Sequence, residues 1–244
     1  MERMDDILGY PNLKIYQDSL YFSFSLDSIV LANYSTIRHR DYKIIDFCTG
    51  NGVIPLILSR RCDKSIEGVE IQEKLYDLAC RSVAYNQLED RIHLTCQDVK
   101  DFSQDPSHLN QYDLVLCNPP YFPDLEESTK NLSYEKRIAR HEILIDLDTI
   151  CDCAKKVLKE HGNFCMIHRA DRLMDILSAF RNHDLEPKRV KFIHEKIDKE
   201  SFLVLVEGQR KGSVGLKIDK PLILYQDDGS MTDEYQRLQV EVIK

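Results

Sequence analysis

The stretch KIIDFCTGNG, residues 43–52, decides the fold class of this chain. Residues 43–47 are mostly apolar and predict a buried strand, while the Gly50-Asn51-Gly52 turn leads into a predicted helix that ends near residue 62. Glycine lets a backbone approach a ligand where a Cβ would collide. A strand, a glycine-containing turn and a helix make the repeating unit of a parallel α/β sheet, and nucleotide-like ligands bind at such turns.

The same alternation of strands and helices continues along the chain. Further strands are predicted at 65–70, 92–95, 112–117, 163–167, 188–194 and 202–207, and further helices at 73–86, 147–160 and 171–182. The helix at 147–160 is predicted to bury Leu158 and to stop at Gly162. The last two strands lie too close together for a crossover helix, so we expect them to pair antiparallel. The prediction is an α/β fold with a mostly parallel seven-stranded sheet.

Acidic residues stand at the ends of three successive predicted strands. Asp46 closes the first strand, Glu70 closes the second, and Asp98 follows the third. The glycine turn alone fits a dinucleotide site, an S-adenosylmethionine site or a turn that binds nothing, but it lacks the third glycine of a pyrophosphate-binding turn. Glu70 is placed to accept hydrogen bonds from ribose hydroxyls, and Asp98 from an adenine amine beside the Val99 amide. Together they favour an S-adenosylmethionine crevice.

The sequence Asn118-Pro119-Pro120-Tyr121 follows the predicted strand 112–117 and forms a rigid shelf. Two prolines fix φ and remove backbone donors, so the carbonyls of Asn118 and Pro119 can point outward as acceptors. The Asn118 side-chain oxygen adds an acceptor, and the Tyr121 ring offers a face on which a flat base can stack. Such a shelf suits a planar group bearing an NH₂, which indicates methyl transfer to an exocyclic or amide nitrogen.

Composition sets further bounds. The 244 residues carry a net charge of −8, which argues mildly against indiscriminate nucleic-acid binding. Local basic surpluses at 130–140 and 181–220 fit either a solvated face or contacts to RNA phosphates. None of the eight cysteines forms a CxxC pair, so free thiols are favoured over disulfides and no metal site is expected. Because no stretch reaches a membrane-spanning length and residues 1–6 lack signal-peptide features, we expect a cytoplasmic protein.

These motifs resemble the class I methyltransferases, and within them the amino-methyltransferases that carry an Asn-Pro-Pro-Tyr element. Segments 22–28, 68–72, 139–142, 167–173 and 185–189 are similar to the bacterial tRNA (adenine-N6)-methyltransferases that modify the base next to the anticodon of valine tRNA. The resemblance covers roughly residues 8–235. One departure is Cys48, which stands where relatives often have glycine or alanine.

The resemblance implies a Rossmann-like class I fold, S-adenosyl-L-methionine as cofactor, and methyl transfer to the N6 amine of an RNA adenine. It divides the chain into residues 1–40, which close over the cofactor site, a core at 41–210, and a tail at 211–244 that packs on the core. The implied catalytic residues are Asn118, Pro119 and Tyr121. The implied cofactor-binding residues are Ser25, Asp27, Asp46, Cys48, Thr49, Gly50, Asn51, Gly52, Glu70, Ile71, Gln72, Asp98, Val99 and Asn118. RNA contacts are expected at Lys130, Lys136, Arg137, Arg140, Lys188, Arg189 and Lys191.

Three other functions fit parts of the pattern. A protein-glutamine methyltransferase that acts on release factors uses the same shelf, because a glutamine amide is also planar and carries an NH₂. That family has a sizeable helical domain before its cofactor core, whereas only about 45 residues precede the first turn here. An rRNA guanine-N2 methyltransferase and a non-catalytic S-adenosylmethionine-binding scaffold are the remaining alternatives. The four residues Asp46, Glu70, Asp98 and Asn118 argue against the scaffold, since it has no need for all of them.

Overall fold

The computed structural model describes residues 1–21, 25–40, 42–120 and 146–238. The strands are β1 (Glu2–Ile7), β2 (Tyr10–Asp18), β3 (Lys43–Phe47), β4 (Ser65–Glu70), β5 (Ile92–Cys96), β6 (Tyr112–Cys117), β7 (Leu158–Arg169), β8 (Leu185–His194), β9 (Ser201–Arg210), β10 (Lys217–Ile218) and β11 (Leu222–Ile223). The helices are α1 (Leu26–Tyr34), α2 (Val53–Arg61), α3 (Glu73–Tyr85), α4 (Val99–Phe102), α5 (Leu147–Val157), α6 (Leu173–Asn182) and α7 (Asp233–Leu238), and a 3₁₀ turn, Ala170–Arg172, precedes α6.

A single large sheet organises the described residues. Its strands follow the order β10-β8-β9-β7-β6-β3-β4-β5, and β11 also pairs with β8. Strands β3 to β7 run parallel, while β9 inserts antiparallel between β7 and β8. The seven long strands β3 to β9, of which β9 is antiparallel to its neighbours, confirm the predicted sheet. The tail adds the two short strands β10 and β11, each parallel to β8, which the sequence did not predict.

Both faces of this sheet are covered, as the near-continuous apolar strands require. Ile44 and Ile45 are neighbours in β3, and both are fully buried on opposite faces. The face of Ile44 packs against α1, α2 and the β1–β2 hairpin. The face of Ile45 packs against α4, α5 and α6. These layers hold the carboxyl ends of the parallel strands in fixed positions along one edge.

The N-terminal residues form a β1–β2 hairpin that the sequence did not predict, because β1 is acidic and Pro11 interrupts the β2 pattern. The hairpin packs against α3, whose polar side chains bond the outer edge of β2. Asn86 accepts from the Lys14 backbone nitrogen at 3.0 Å and donates to its carbonyl at 2.6 Å, and the Ser82 hydroxyl accepts from the Tyr16 nitrogen at 2.9 Å. An edge strand satisfied in this way is closed to further pairing.

The helix predicted at 147–160 is shorter than expected. It ends at Val157, and β7 begins at Leu158, so Leu158 is a strand residue and Gly162 lies inside β7 rather than at a helix stop. The last helical carbonyls are taken by the chain entering β6, since Asn110 and Gln111 donate to Lys156 and Val157. The predicted helix stop was therefore wrong. The division into 1–40, 41–210 and 211–244 stays a prediction.

Candidate functional site

Four polar residues meet at the carboxyl edge of the sheet. Asp46 lies in β3, Glu70 ends β4, Asp98 follows β5, and Asn118 directly follows β6. In the sheet β3 lies between β4 and β6, and β5 lies beyond β4, so these residues come from neighbouring parallel strands. The structure thus brings together the residues that the sequence assigned to one crevice.

Glu70 ties the glycine turn to the next helix. Its side chain is 4% exposed, its Oε2 accepts from the Gly50 nitrogen at 2.8 Å, and its Oε1 accepts from the Gln72 nitrogen at 2.9 Å. Burial raises the pKa of Glu70, while the hydrogen bonds from Gln72 and Gly50 favour the ionised form. A carboxylate offers about four lone-pair positions, so this one can still accept from a ligand hydroxyl.

Asp46 is fully buried below the turn. Neither of its oxygens, nor the Thr49 hydroxyl, makes a standard hydrogen bond within the described part of the chain. Burial raises the pKa of Asp46 to about 8, the Glu70 charge adds to the rise, and the neighbouring Thr49 hydroxyl opposes it. A buried carboxylate of this kind gains most from a cationic ligand.

The turn between β3 and α2 contains residues with positive φ, in the left-handed region of backbone conformation. Gly50 has φ of 59° and Gly52 has φ of 84°. A Cβ on Gly50 would meet nothing within 4 Å, so this side of the turn opens onto the crevice, whereas a Cβ on Gly52 would lie 3.2 Å from the Ala79 Cβ of α3. Cys48 also has a left-handed φ of 57°, a backbone conformation that glycine adopts more readily than a residue with a Cβ.

Asn51 connects the turn to the N-terminal hairpin. Its side chain is 4% exposed, and its Nδ2 donates to the Tyr16 carbonyl of β2 at 3.2 Å. The amide therefore faces the hairpin. The sequence did not predict the hairpin that takes this hydrogen bond, and the expected cofactor role of Asn51 stays a prediction.

Asp98 begins α4 as its N-terminal cap. It accepts from the Lys100 backbone nitrogen at 2.8 Å, and its other oxygen lies 3.2 Å from the Lys100 ammonium. Val99 is buried behind it, whereas Ile71 is 44% exposed just beyond β4. Because β4 and β5 are paired neighbours, Ile71 just beyond β4 and Asp98 just beyond β5 give this part of the edge an apolar surface and an acceptor, as an adenine ring requires.

Asn118 is held by helix α1. Its Nδ2 donates to the Ser28 hydroxyl at 2.9 Å, and Ser28 is 6% exposed. Ser25 is the residue that precedes α1, and Asp27 lies in its first turn, so the start of α1 reaches the shelf. Sequence reasoning missed Ser28, although a serine within the apolar run of α1 is a signal that could have pointed to it.

Five residues expected in the catalytic site or the RNA contact lie outside the described residues: Tyr121, Lys130, Lys136, Arg137 and Arg140.

The cations of β8 hold the tail of the chain. Lys191 is 5% exposed and contacts Glu234 of α7 at 3.1 Å, and Arg189 lies 3.0 Å from Asp219. Lys188 donates to the Ser213 carbonyl at 2.9 Å but remains at the surface. RNA phosphates cannot reach a buried Lys191, so the structure does not bear out the RNA contact expected for this residue. The ion pair with Asp219 gives Arg189 a structural role.

Residues at this edge fit an adenosyl sulfonium group. The buried Asp46 carboxylate lacks a hydrogen-bond donor among the described residues, the Gly50 side of the turn is open, and Glu70 lies beside it. In the described ranges we find no cluster of three or more His, Cys, Asp or Glu that could hold a metal ion. Nor does that part of the chain contain a helix long and apolar enough to cross a membrane.

The chain is similar to known methyltransferases in sequence. The family model "Methyltransferase small domain" matches residues 25–193. The tRNA1(Val) (adenine(37)-N6)-methyltransferase of Phocaeicola vulgatus is 29% identical over 198 residues, covering 81% of each chain. The protein of the same name from Flavobacterium psychrophilum is 23% identical over 233 residues, covering 94% of this chain and 95% of its own length.

Solved structures share the fold. A predicted O-methyltransferase from Agrobacterium tumefaciens superposes with a TM-score of 0.68 at 17% identity, covering 88% of this chain and 98% of its own. Geranyl diphosphate C-methyltransferase from Streptomyces coelicolor, solved with S-adenosyl-L-homocysteine, gives a TM-score of 0.53 at 13% identity, covering 75% and 77%. At this identity the likeness shows a Rossmann-like class I architecture.

Proposed function

The chain belongs to the methyltransferase small domain family, and we propose that it methylates the N6 amine of an adenine in tRNA. Its methyl donor is S-adenosyl-L-methionine. Relatives from Phocaeicola vulgatus and Flavobacterium psychrophilum are named for adenine 37 of tRNA1(Val), and they match over most of their length. We therefore propose the same adenine, next to the anticodon of a valine tRNA, as the substrate base.

One observation carries this proposal: Asn118 follows β6 directly and lies beside the crevice formed by Asp46 and Glu70. The donor would be held at the ends of β3 and β4, and the amine at the end of β6. These three strands are consecutive in the sheet, so the two reactants would lie close together. Effective proximity of two reactants accounts for about 7–11 kcal/mol of a barrier in well-oriented systems. The arrangement therefore supports group transfer from a nucleoside-bearing donor to an amine on the shelf.

The cofactor roles proposed from this geometry are specific. Glu70 would accept from the ribose hydroxyls and Ile71 would contact the adenine ring. Asp98 would accept from the adenine amine, and the Val99 backbone amide would donate to the ring. Gly50 gives the backbone room beside the donor, and the positive sulfonium would favour the ionised form of the buried Asp46 below it. When bound, the cofactor supplies an electrophilic methyl group carried on a sulfonium.

The shelf would prepare the acceptor amine. An exocyclic amine is a weak nucleophile because its lone pair is delocalised into the ring. Asn118 Oδ1 and the Pro119 carbonyl would accept its two hydrogens, which favours a pyramidal nitrogen with its lone pair toward the crevice. Tyr121, outside the described residues, would stack on the base, a contact worth about 1–3 kcal/mol. Alignment and electrostatic fit then provide most of the rate. No strong base is needed, because the methylated nitrogen is cationic and readily loses its extra proton to water.

Binding of the RNA would involve basic side chains. We propose Lys188, which stays at the surface, together with Lys130, Lys136, Arg137 and Arg140 outside the described part. An anticodon-loop adenine is already unpaired, so the energy needed to expose it is small. A tRNA substrate would place this activity in the cytoplasm.

The test compares acceptors. Purified protein and S-adenosyl-L-methionine carrying a labelled methyl group are incubated separately with bulk tRNA, rRNA and a peptide release factor. The proposal predicts label in tRNA at a rate at least tenfold above the other two. Label mainly in rRNA would favour guanine-N2 methylation, label mainly in the release factor would favour glutamine methylation, and either result would overturn the tRNA proposal.

A further inference from the structure

We propose that Ser28 is a positioning residue, which turns the side-chain amide of Asn118 so that its oxygen faces the acceptor amine. The inference rests on the proposed function of the shelf and names a residue that the shelf motif does not contain. It starts from one contact: the Asn118 Nδ2 donates to the Ser28 Oγ at 2.9 Å, across 90 residues of sequence.

An asparagine amide has two chemically different ends of similar size. One end is an oxygen that accepts hydrogen bonds, and the other is a nitrogen that donates them. An acceptor amine on the shelf has hydrogens to donate and needs the oxygen. If the amide were turned around, two N–H groups would face each other and the amine would lose its acceptor. The orientation of this amide therefore decides whether the shelf can work.

Ser28 sets this orientation by binding the nitrogen end. With Nδ2 donating to the Ser28 hydroxyl, Oδ1 forms the opposite end of the planar amide and points away from Ser28. A hydroxyl can also donate to an oxygen. The proposal therefore requires that the Ser28 hydroxyl accept from the Asn118 nitrogen and not donate to its oxygen. At 6% exposure Ser28 is shielded from water, which would otherwise compete for either end of the amide.

Helix α1 is a rigid support for this hydroxyl. Its residues Ile29, Val30, Leu31 and Ala32 are buried in the core that α1 shares with α2. At its C-terminal end the Arg61 guanidinium of α2 binds the Ala32 carbonyl and the Ser35 carbonyl. Helix ends capped by a cation and anchored in a core do not rotate freely. The hydroxyl is thus presented to Asn118 from a fixed place.

The proposal is tested by a double-mutant cycle between Ser28→Ala and Asn118→Asp. Aspartate has two oxygens, so its orientation toward the amine no longer matters. Ser28→Ala is expected to lower kcat at least tenfold in the wild-type background, with the RNA KM and the dissociation constant of S-adenosyl-L-homocysteine changed less than twofold. Added to Asn118→Asp, the same change is expected to lower kcat less than twofold.

Ser59→Ala is the matched control. Ser59 is a helical serine of α2, 6% exposed, whose hydroxyl donates to the Leu56 carbonyl of its own helix at 2.7 Å. The control variant should keep the wild-type kcat. A purely structural role for Ser28 would instead lower kcat by the same factor in both backgrounds, and that outcome, or a normal kcat in Ser28→Ala, would overturn the proposal.

A second measurement does not depend on activity. In an NMR spectrum of ¹⁵N-labelled protein, the Asn118 side-chain protons are expected to exchange at least tenfold faster with solvent in Ser28→Ala than in wild type or Ser59→Ala. Equal exchange in all three would contradict the proposal, even if the Asn118→Asp background were inactive. If the wild-type protein methylates no RNA while this exchange difference is present, the proposed substrate fails but the orientation of the amide by Ser28 stands.

Discussion

The Gly50 backbone nitrogen lies 2.8 Å from the Glu70 Oε2, so the carboxylate that ends β4 directly fixes the turn that follows β3. The same carboxylate binds the first residue before α3 through its other oxygen. One buried group thus sets the spacing of two strand ends on which the donor is proposed to rest.

Glu70→Gln should weaken cofactor binding. Glutamine replaces one accepting oxygen by an NH₂ that meets the N–H of Gly50 or Gln72, and an unsatisfied buried donor costs about 1–3 kcal/mol. We expect S-adenosyl-L-homocysteine to bind about tenfold or more weakly in calorimetry. Glu73→Gln, an exposed residue in the first turn of α3, is the control and should bind normally. Equal affinity in both variants would remove Glu70 from the site.

Asp46 should make the stability of the ligand-free protein depend on pH. Its pKa is about 8 in the folded state against an ordinary value of 3.8, so between these pH values the folded protein holds a proton that the unfolded chain has lost. The contribution of Asp46 to stability therefore falls as pH rises from about 4 to about 8.

The substitution Asp46→Asn removes this titration. We expect the variant to gain several degrees in melting temperature relative to wild type at pH 8 and much less at pH 5, measured by thermal unfolding without ligand. Asp90→Asn, at an exposed carboxylate, should shift the two melting temperatures equally. A pH-independent difference for Asp46→Asn would show that the carboxylate is ionised throughout this range.

Asn51→Ala should loosen the N-terminal hairpin. The change removes the hydrogen bond to the Tyr16 carbonyl, a net loss of about 0.5–1.5 kcal/mol. Amide hydrogen exchange in residues 10–18 should be several-fold faster than in wild type. Asn12→Ala, at an exposed position of β2, should leave the exchange of residues 10–18 unchanged. Unchanged exchange in Asn51→Ala would mean that the hairpin is held by α3 alone.

Cys48→Gly should be more stable than Cys48→Ala. Both variants lack the thiol, but only glycine adopts the left-handed φ of 57° without a steric cost, which is about 1–2 kcal/mol for an L-residue. For a protein of 244 residues, each kcal/mol of this difference should make the melting temperature of Cys48→Gly higher than that of Cys48→Ala by about 2–4 °C. Equal melting temperatures would indicate that the backbone at residue 48 relaxes to a negative φ.

The sequence was sufficient for the sheet because its parallel strands are buried on both faces and read as short apolar runs. Residues 43–47 and 112–117 were predicted with the bounds that the structure has, and the antiparallel pairing of β8 and β9 followed from their spacing. The end of α5 could not be read in this way, because it is set by Asn110 and Gln111 from a segment distant in sequence.

In the candidate site, too, the positions of residues could be predicted from the sequence, whereas their side-chain contacts could not. Backbone position gave Asp46, Glu70, Asp98 and Asn118, since each stands at or just after the end of a strand. What each side chain contacts depended on elements that lack a sequence signal. Asn51 faces a hairpin whose first strand is acidic and whose second strand is interrupted by Pro11, and the Ser28 contact needed the packing of α1.

The most direct measurement of the central claim is nucleoside mass spectrometry of tRNA after incubation with the protein and methyl-labelled S-adenosyl-L-methionine. We predict label in N6-methyladenosine with the wild-type protein, and none with Asn118→Ala, while that variant still binds S-adenosyl-L-homocysteine in calorimetry. Label in another nucleoside, or a near-normal yield of N6-methyladenosine from Asn118→Ala, would contradict the account.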